Sequence, residues 1–173
     1  ASEATEAGYF KQEIVPLNII LEDGSAAVHD KDEGIRADAT LQGMQSLRAL
    51  REEGVITAGT ASQISDGAAA IMVANQEAVG KYNLPVRAKI TALAVVGSDP
   101  VIMLEGPIPA TEKVLKKAGL SIEEIDLYEV NEAFGSVPLA WAKAVGADLN
   151  KLNVNGGAQA LGHPLGGTGA KLM

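Results

Sequence analysis

The chain has 173 residues, no cysteine, and 22 acidic against 14 basic side chains, for a formal charge of -8. That length suits one domain or two small half-domains, and an apolar fraction of 47% argues against wholesale disorder. The acidic balance speaks against broad binding to a phosphate backbone. Zero cysteine removes a disulfide framework, a thiolate-bound metal and a cysteine nucleophile from these residues.

Aromatic residues make up 3%, beside 19 glycines. A core of Ala, Val, Leu and Ile with many glycines predicts closely packed α/β layers joined by tight turns. It is a poor composition for stacking single-stranded nucleic acid. No apolar run reaches the roughly 18 residues of a membrane span. The acidic start, Ala1 to Glu6, lacks the basic and apolar regions of a signal peptide. The expectation is a cytoplasmic protein with no nucleic-acid or membrane partner. A start without Met and a stop soon after the last glycine-rich turn predict an incomplete chain.

Residues 1–12 read as the end of a helix that breaks near Gly8. Glu13 to Leu21 is an apolar strand candidate in which Pro16 marks an edge or a bulge. Glu22-Asp-Gly-Ser25 has turn chemistry, and Val28 to Asp38 reads as a charged surface connection. Leu41, Met44, Leu47 and Leu50 recur at helical spacing, with Asp38 or Thr40 as N-cap and Gly54 as the stop. Val55 to Gly59 is a short strand. Ala68 to Ala74 predicts a helix that runs to Gly80, and Asn83-Leu-Pro85 is a linker.

Val86 to Val96 is a long strand candidate. Gly106-Pro-Ile-Pro109 precedes a helix over Ala110 to Ala118, closed by Gly119. Ser121-Ile-Glu-Glu124 is a capping box. Ile125 to Val130 reads as a strand, Phe134 to Val145 as a helix with Pro138 in its first turn, and Leu152 to Asn155 as a strand opening onto Gly156-Gly157. The alternation predicts an α/β layered fold.

His163, in Gly162-His-Pro-Leu-Gly166, is the sharpest candidate for chemistry. Pro164 holds it extended and suits a first helical position, which would place His163 at a helix N-terminus. The partial positive charge there disfavours imidazolium. A neutral imidazole among glycines is a usable base; the alternative is a histidine that only caps or packs. Asn131 follows a strand, at the edge where open α/β sheets place ligands. It can hold a water or donate to an oxyanion without titrating; otherwise it caps a helix and Glu132 is a structural acceptor.

Thr57 to Gln63 offers hydroxyls that bind a ligand amide or satisfy a turn. Thr168 stands where a phosphate loop requires Lys, and the glycine spacing does not match a dinucleotide fingerprint. His29 with Asp30, Asp32 and Glu33 reads as solvated surface, and no spacing suggests a metal.

Together, Asp32-Glu-Gly-Ile-Arg36, Thr57-Ala-Gly-Thr-Ala-Ser62 with Asp66-Gly-Ala-Ala69, Gly106-Pro-Ile-Pro109, Asn131-Glu-Ala-Phe134 and Asn153-Val-Asn-Gly-Gly157 leading into Gly162-His-Pro-Leu-Gly166 resemble the thiolase family of acyl-CoA acyltransferases. The resemblance implies a thiolase-like layered αβαβα fold, present in part. Residues 1–54 would be the remainder of the loop domain, 55–84 the end of the N-terminal half, and 85–173 the C-terminal half, truncated before its Cys motif.

It implies a Cys acyl-enzyme formed from acyl-CoA, with no cofactor beyond the coenzyme A thioester substrate. His163 would activate the nucleophile, and Asn131 would complete the thioester oxyanion site through a water. Ser62, Phe134 and Gly162 would contact the CoA pocket. Both family cysteines lie outside these residues. Thr60, Gln159 and Gly167 depart from the usual family residues, and Thr60 resembles degradative bacterial thiolases, including those of steroid side chains. The family implies a homo-oligomer, a dimer or tetramer. The other reading is a non-catalytic CoA-binding or assembly chain that pairs with a Cys-bearing partner. A ketoacyl-synthase relative shares the Gly-His turn but not the Asn-Glu-Ala-Phe motif.

Overall fold

Capping side chains decide where two of the helices begin, at Thr40 and Asn75. The computed structural model describes residues 1–173. The first helix, α1 (Ser2–Glu6), breaks before Gly8. In the turn after Glu22, Asp23 Oδ1 accepts hydrogen bonds from the Ser25 backbone and hydroxyl at 2.9 and 2.6 Å. This turn joins β1 (Leu17–Ile20) and β2 (Ala26–His29) into an antiparallel hairpin with Leu17 opposite His29. β2 corrects the expectation of a surface connection from Val28. Its Ala-Ala-Val run carries little β propensity, and the Asp-Gly turn brings it into register.

The second helix, α2 (Leu41–Gln45), is capped by Thr40, whose Oγ1 accepts from the Gly43 N–H at 3.1 Å. It ends well short of Gly54. The Ser46 hydroxyl donates to the Gly43 carbonyl at 2.7 Å, and Leu50 N–H donates to Ile56 O at 2.8 Å. These bonds replace the helical ladder beyond Gln45.

The helix expected over Ala68 to Gly80 is displaced. Residues 64–75 carry no helix, and α3 is Gln76–Tyr82, with Gly80 inside it. Asn75 Oδ1 accepts from the Ala78 N–H at 2.8 Å and starts it. Alanine content alone does not nucleate a helix, whereas an Asn cap satisfies a donor at its first turn.

Two longer helices match their sequence signals. They are α4 (Pro107–Ala118), ended by Gly119, and α5 (Ser136–Val145). Pro107 and Pro138 both fall in first turns, where a missing N–H costs nothing. Between them the capping box forms, with Ser121 N–H donating to Glu124 Oε2 at 2.8 Å.

The core lies where α4 and α5 meet residues 125–130. Tyr128, Val130, Trp141 and Ala142 are its buried centre, flanked by Ile108, Ile122, Ile125 and Leu152. The Tyr128 and Trp141 rings meet edge to face, 5.3 Å apart, as aromatic quadrupoles prefer. Their polar ends are satisfied: Trp141 Nε1–H donates to Thr111 Oγ1 at 2.8 Å, and the Tyr128 hydroxyl donates to Ile122 O at 2.7 Å. The first bond ties α5 to α4 and the second ties Tyr128 to the turn at Ile122, while the ring contact joins α5 to the segment that leads into Asn131.

The expected strands are only partly realised. Residues 55–59 and 152–155 make the isolated bridges Ala49–Thr57 and Tyr128–Leu152, the second parallel, and the β1–β2 hairpin is the sheet of the structure. Along residues 91–96 exposure alternates, with Ala92, Ala94 and Val96 half-buried and Leu93 and Val95 exposed. That is the period of a strand with one packed face. Lys113 and Lys117 of α4 donate to Val95 O and Leu93 O at 2.8 and 2.9 Å, so side-chain ammonium groups take carbonyls that a neighbouring strand would otherwise pair. Buried residues number 12 of 173, which concentrates the packing around Trp141. No helix is long and apolar enough to cross a membrane.

Trp141→Ala is expected to lower stability by about 3–5 kcal/mol through the cavity it leaves. Urea unfolding followed by circular dichroism measures this; an unchanged midpoint would place the stabilising core elsewhere.

Candidate active site

The backbone that presents Asn131 is fixed by Asn153. Its Oδ1 accepts from Val130 N–H at 2.8 Å, and its Nδ2 donates to Val130 O and to Glu132 Oε1, both at 2.9 Å. Asn153 holds a φ of +46°, a left-handed conformation that Asn adopts more readily than most residues. Asn131 thus emerges between two restrained neighbours.

His163 is delivered by a short helix, α6 (Ala158–Leu161). Glu132 Oε2 accepts from the Gln159 N–H at 3.0 Å in its first turn, where a carboxylate is favoured. Glu132 therefore ties the Asn131 loop to the His163 segment. Two glycines make room for this arrangement. A Cβ on Gly157 would overlap the Glu132 carboxyl, and a Cβ on Gly162, which has a φ of +81°, would overlap the Ser65 hydroxyl. Neither position admits a side chain without moving a neighbour.

His163 does not stand at a helix N-terminus, which corrects the expectation from sequence. It lies between α6 and α7 (Thr168–Leu172). Pro164 opens a turn, and its carbonyl accepts from Gly167 N–H and Thr168 N–H, both at 2.9 Å. The protonation pattern of the imidazole is set by its hydrogen bonds instead. The Thr168 hydroxyl donates to Pro164 O at 3.0 Å. With that proton used, Thr168 Oγ1 accepts from His163 Nδ1 at 2.7 Å. Nδ1 carries the hydrogen, and Nε2 keeps a lone pair that accepts from Asn131 Nδ2 at 3.2 Å. Asn131 Oδ1 is buried and has no partner in the protein. A buried acceptor beside a base is suited to take a hydrogen bond from a water or a substrate group.

Residues 60–63 join the two halves of the site. On one side Ser62 N–H donates to Ala133 O at 3.1 Å and Gly135 N–H to Thr60 O at 2.8 Å, around a bridge between Ala61 and Phe134. On the other, His163 N–H donates to Gln63 O at 3.1 Å. The structure therefore brings Ser62, Asn131, Phe134, Gly162 and His163 together. Gly162 is buried and the other four are half-buried. His29 stays outside, 4.0 Å from Glu33 on the surface.

Sequence reasoning missed Thr168, Gln63 and Asn153 as builders of the site. In the sequence, Thr168 stands out only as the residue that breaks a phosphate-loop pattern. The polar Asn153 and Asn155 within an apolar strand were the signal available for Asn153.

A cavity of about 230 Å3 is bounded by Glu13, Glu129, Asn131, Gly162, Thr168 and Lys171, among others. The Glu129 carboxyl is held above its ordinary value, first by desolvation and then by repulsion from Glu132 and Glu13, with Lys171 opposing.

Thr168→Val removes the acceptor for Nδ1–H at nearly constant volume. Nitrogen-15 NMR of His163 is expected to change from the Nδ1–H tautomer to a mixture; a retained Nδ1–H pattern would contradict the hydrogen-bond assignment. Glu129 makes a pH-dependent prediction. A carboxyl whose value is raised by folding holds its proton more tightly in the folded state. Its stabilising contribution is present at low pH and is lost as pH rises from the ordinary value through the raised one. Glu129→Gln should therefore raise Tm at neutral pH and leave it unchanged below about pH 4. The residue as a whole is exposed, which keeps the gain small. Thermal melts across this pH range check the sign, and a variant less stable at neutral pH contradicts it.

Known proteins carry the same pattern. The family profile described as "Thiolase, N-terminal domain" matches residues 1–77, and that described as "Thiolase, C-terminal domain" matches residues 84–173. A 3-ketoacyl-CoA thiolase of Aliivibrio fischeri is 46% identical over 99% of this chain and 46% of its own length. A steroid 3-ketoacyl-CoA thiolase of Mycobacterium tuberculosis is 49% identical over 100% of this chain and 41% of its own.

Two crystal structures of human mitochondrial 3-ketoacyl-CoA thiolase, the second in complex with CoA, match with TM-scores of 0.90 and 0.87 at 41% identity. They cover 99% of this chain and 43% and 42% of theirs. The chain thus spans less than half the length of these relatives. The mixed α/β arrangement is that of a thiolase fold, with its sheet strands only partly paired here. With both thiolase domain profiles matched along its length, the chain belongs to the thiolase family.

Proposed function

We propose that these residues carry the base and the oxyanion side chain of an acyl-CoA thiolase. The reaction is thiolysis of a 3-ketoacyl-CoA or the reverse Claisen condensation. The observation that carries this reading is the Asn131–His163 pair: an imidazole nitrogen whose lone pair accepts from the Asn131 amide nitrogen at 3.2 Å, while the amide oxygen has no partner in the protein.

In the acyl transfer, a cysteine thiol gives its proton to His163 Nε2 and the sulfur attacks the thioester carbonyl carbon. The C–S bond to CoA breaks, and the departing sulfur takes the proton back from Nε2. The thiol comes from outside residues 1–173, because the chain has no cysteine. Once protonated, Nε2–H is a donor beside the Asn131 amide, so the site strengthens its hydrogen bonding as negative charge develops on the carbonyl oxygen. Thr168 keeps Nδ1–H in place throughout, so the same nitrogen acts as base and as acid.

Ser62 and Phe134 are proposed to border the pantetheine arm of CoA. Their support is the Ala61–Phe134 bridge beside Asn131 and the family relative solved with CoA. A steroid or other degradative 3-ketoacyl-CoA is the proposed substrate class, supported by Thr60 and by the mycobacterial relative's name. A cytoplasmic homo-oligomer is part of the same proposal. Exposed Val86, Leu93 and Val95, at 65%, 65% and 85%, supply apolar surface for protein contacts. The same exposure and the lack of cysteine favour a second reading, a CoA-binding chain completed by a Cys-bearing partner.

Acyl-CoA thiolysis by the native polypeptide tests the first reading. His163→Ala is expected to reduce kcat by roughly 10²–10⁴-fold, and Asn131→Ala by roughly 10²–10³-fold. Residues 1–173 alone should show no turnover. Turnover by that cysteine-free piece would contradict the mechanism.

A further inference from the structure

We propose that Gln63 is the positioning residue that sets His163 against Asn131, an inference that rests on the thiolase reading above. The helix that leads to His163 has four residues, too few to hold itself together. Its last carbonyls lack partners within the helix. Gln63 Nε2 donates to Gln159 O at 3.1 Å and lies 3.5 Å from Ala160 O. The same amide donates to Gly34 O at 2.8 Å, which anchors it from a third segment. Glycine at position 34 permits this approach: a Cβ there would stand 3.0 Å from Gln63 Oε1.

The backbone of Gln63 does a second job, accepting from His163 N–H at 3.1 Å. One residue thus holds both the exit of α6 and the amide of His163. Just before it, Thr60 and Ser62 are bonded to Gly135 and Ala133, in the loop that follows Asn131. Gln63 therefore sits at the join between the loop of the oxyanion residue and the loop of the base. Its hydrogen bonds reach neither the imidazole nor the Asn131 amide, so it acts through position and not through contact with the reacting atoms. Gln159, which departs from the usual family residue, complements it. The Gln159 N–H goes to Glu132 and its carbonyl to Gln63, so the short helix is held at both ends.

The test compares Gln63→Met, Gln63→Asn and Gln63→Lys in the native polypeptide. Methionine keeps length and loses the donors; lysine keeps a donor one bond farther out on a flexible stem, facing carbonyl oxygens that favour a cation. Gln63→Met is expected to lower kcat by roughly tenfold or more with KM changed less than about twofold, because a displaced base loses near-attack geometry. The His163 nitrogen-15 signals should shift together with kcat, and Gln63→Lys should restore both in large part. A folded Gln63→Met protein with parental kcat and His163 signals overturns the proposal, as does a folded Gln63→Lys protein as impaired as Gln63→Met. If Gln63→Met does not fold, Gln63→Asn decides: unchanged His163 signals overturn the proposal and shifted ones support it. If the parental protein shows no thiolysis, the thiolase reading fails while the NMR comparison still decides the role of Gln63.

Discussion

The carboxylate of Glu132 is the interaction on which the site depends. One oxygen accepts from Asn153 and the other from the Gln159 N–H. Hydrogen bonds to a charged acceptor contribute about 1.5–3 kcal/mol each, more than a neutral bond in this partly open structure. Through Asn153 the carboxylate restrains Val130, and with it the backbone of Asn131. Through Gln159 it restrains α6 and so the approach to His163. The absence of a side chain at Gly157 is the steric condition for this, because a Cβ there would overlap the carboxyl.

In the proposed reaction the histidine is readied as a base by a chain of donors rather than by a helix dipole. Thr168 gives its hydroxyl proton to Pro164 O, receives Nδ1–H, and so leaves the Nε2 lone pair facing Asn131. Each link is an ordinary hydrogen bond, and their order decides which nitrogen can take a proton. The core stands directly behind. Trp141 and Tyr128 lock α4 and α5 onto residues 125–130, so the segment that ends at Asn131 is fixed by packing before the polar network begins.

Much of this was legible from residue types and short spacings. The Gly119 end of α4, the capping box at Ser121 and the helix after Phe134 are local signals that appear where the sequence places them, while α4 begins at Pro107, three residues before the expected Ala110. The helix expected at Ala68 was misplaced because alanine content was read without its cap; Asn75 marks the true start. The strand expected over 86–96 keeps an alternating face only along residues 91–96 and lacks neighbours to pair with among these residues, and pairing is a non-local property. His163 and Asn131 stood out by chemistry. Gln63 did not, because its contact with Gln159 spans 96 positions, and no local pattern announces a bond of that separation.

The central claim is that the Asn131–His163 pair drives acyl transfer to a cysteine lying outside residues 1–173. Intact-mass analysis of the native polypeptide after mixing with acetyl-CoA, followed by peptide mapping, tests it most directly. The account predicts an acetyl adduct on such a cysteine in the parental protein and its loss in His163→Ala. A parental protein that takes up no acetyl group, or a His163→Ala protein that is acetylated as fully and as fast, would contradict it.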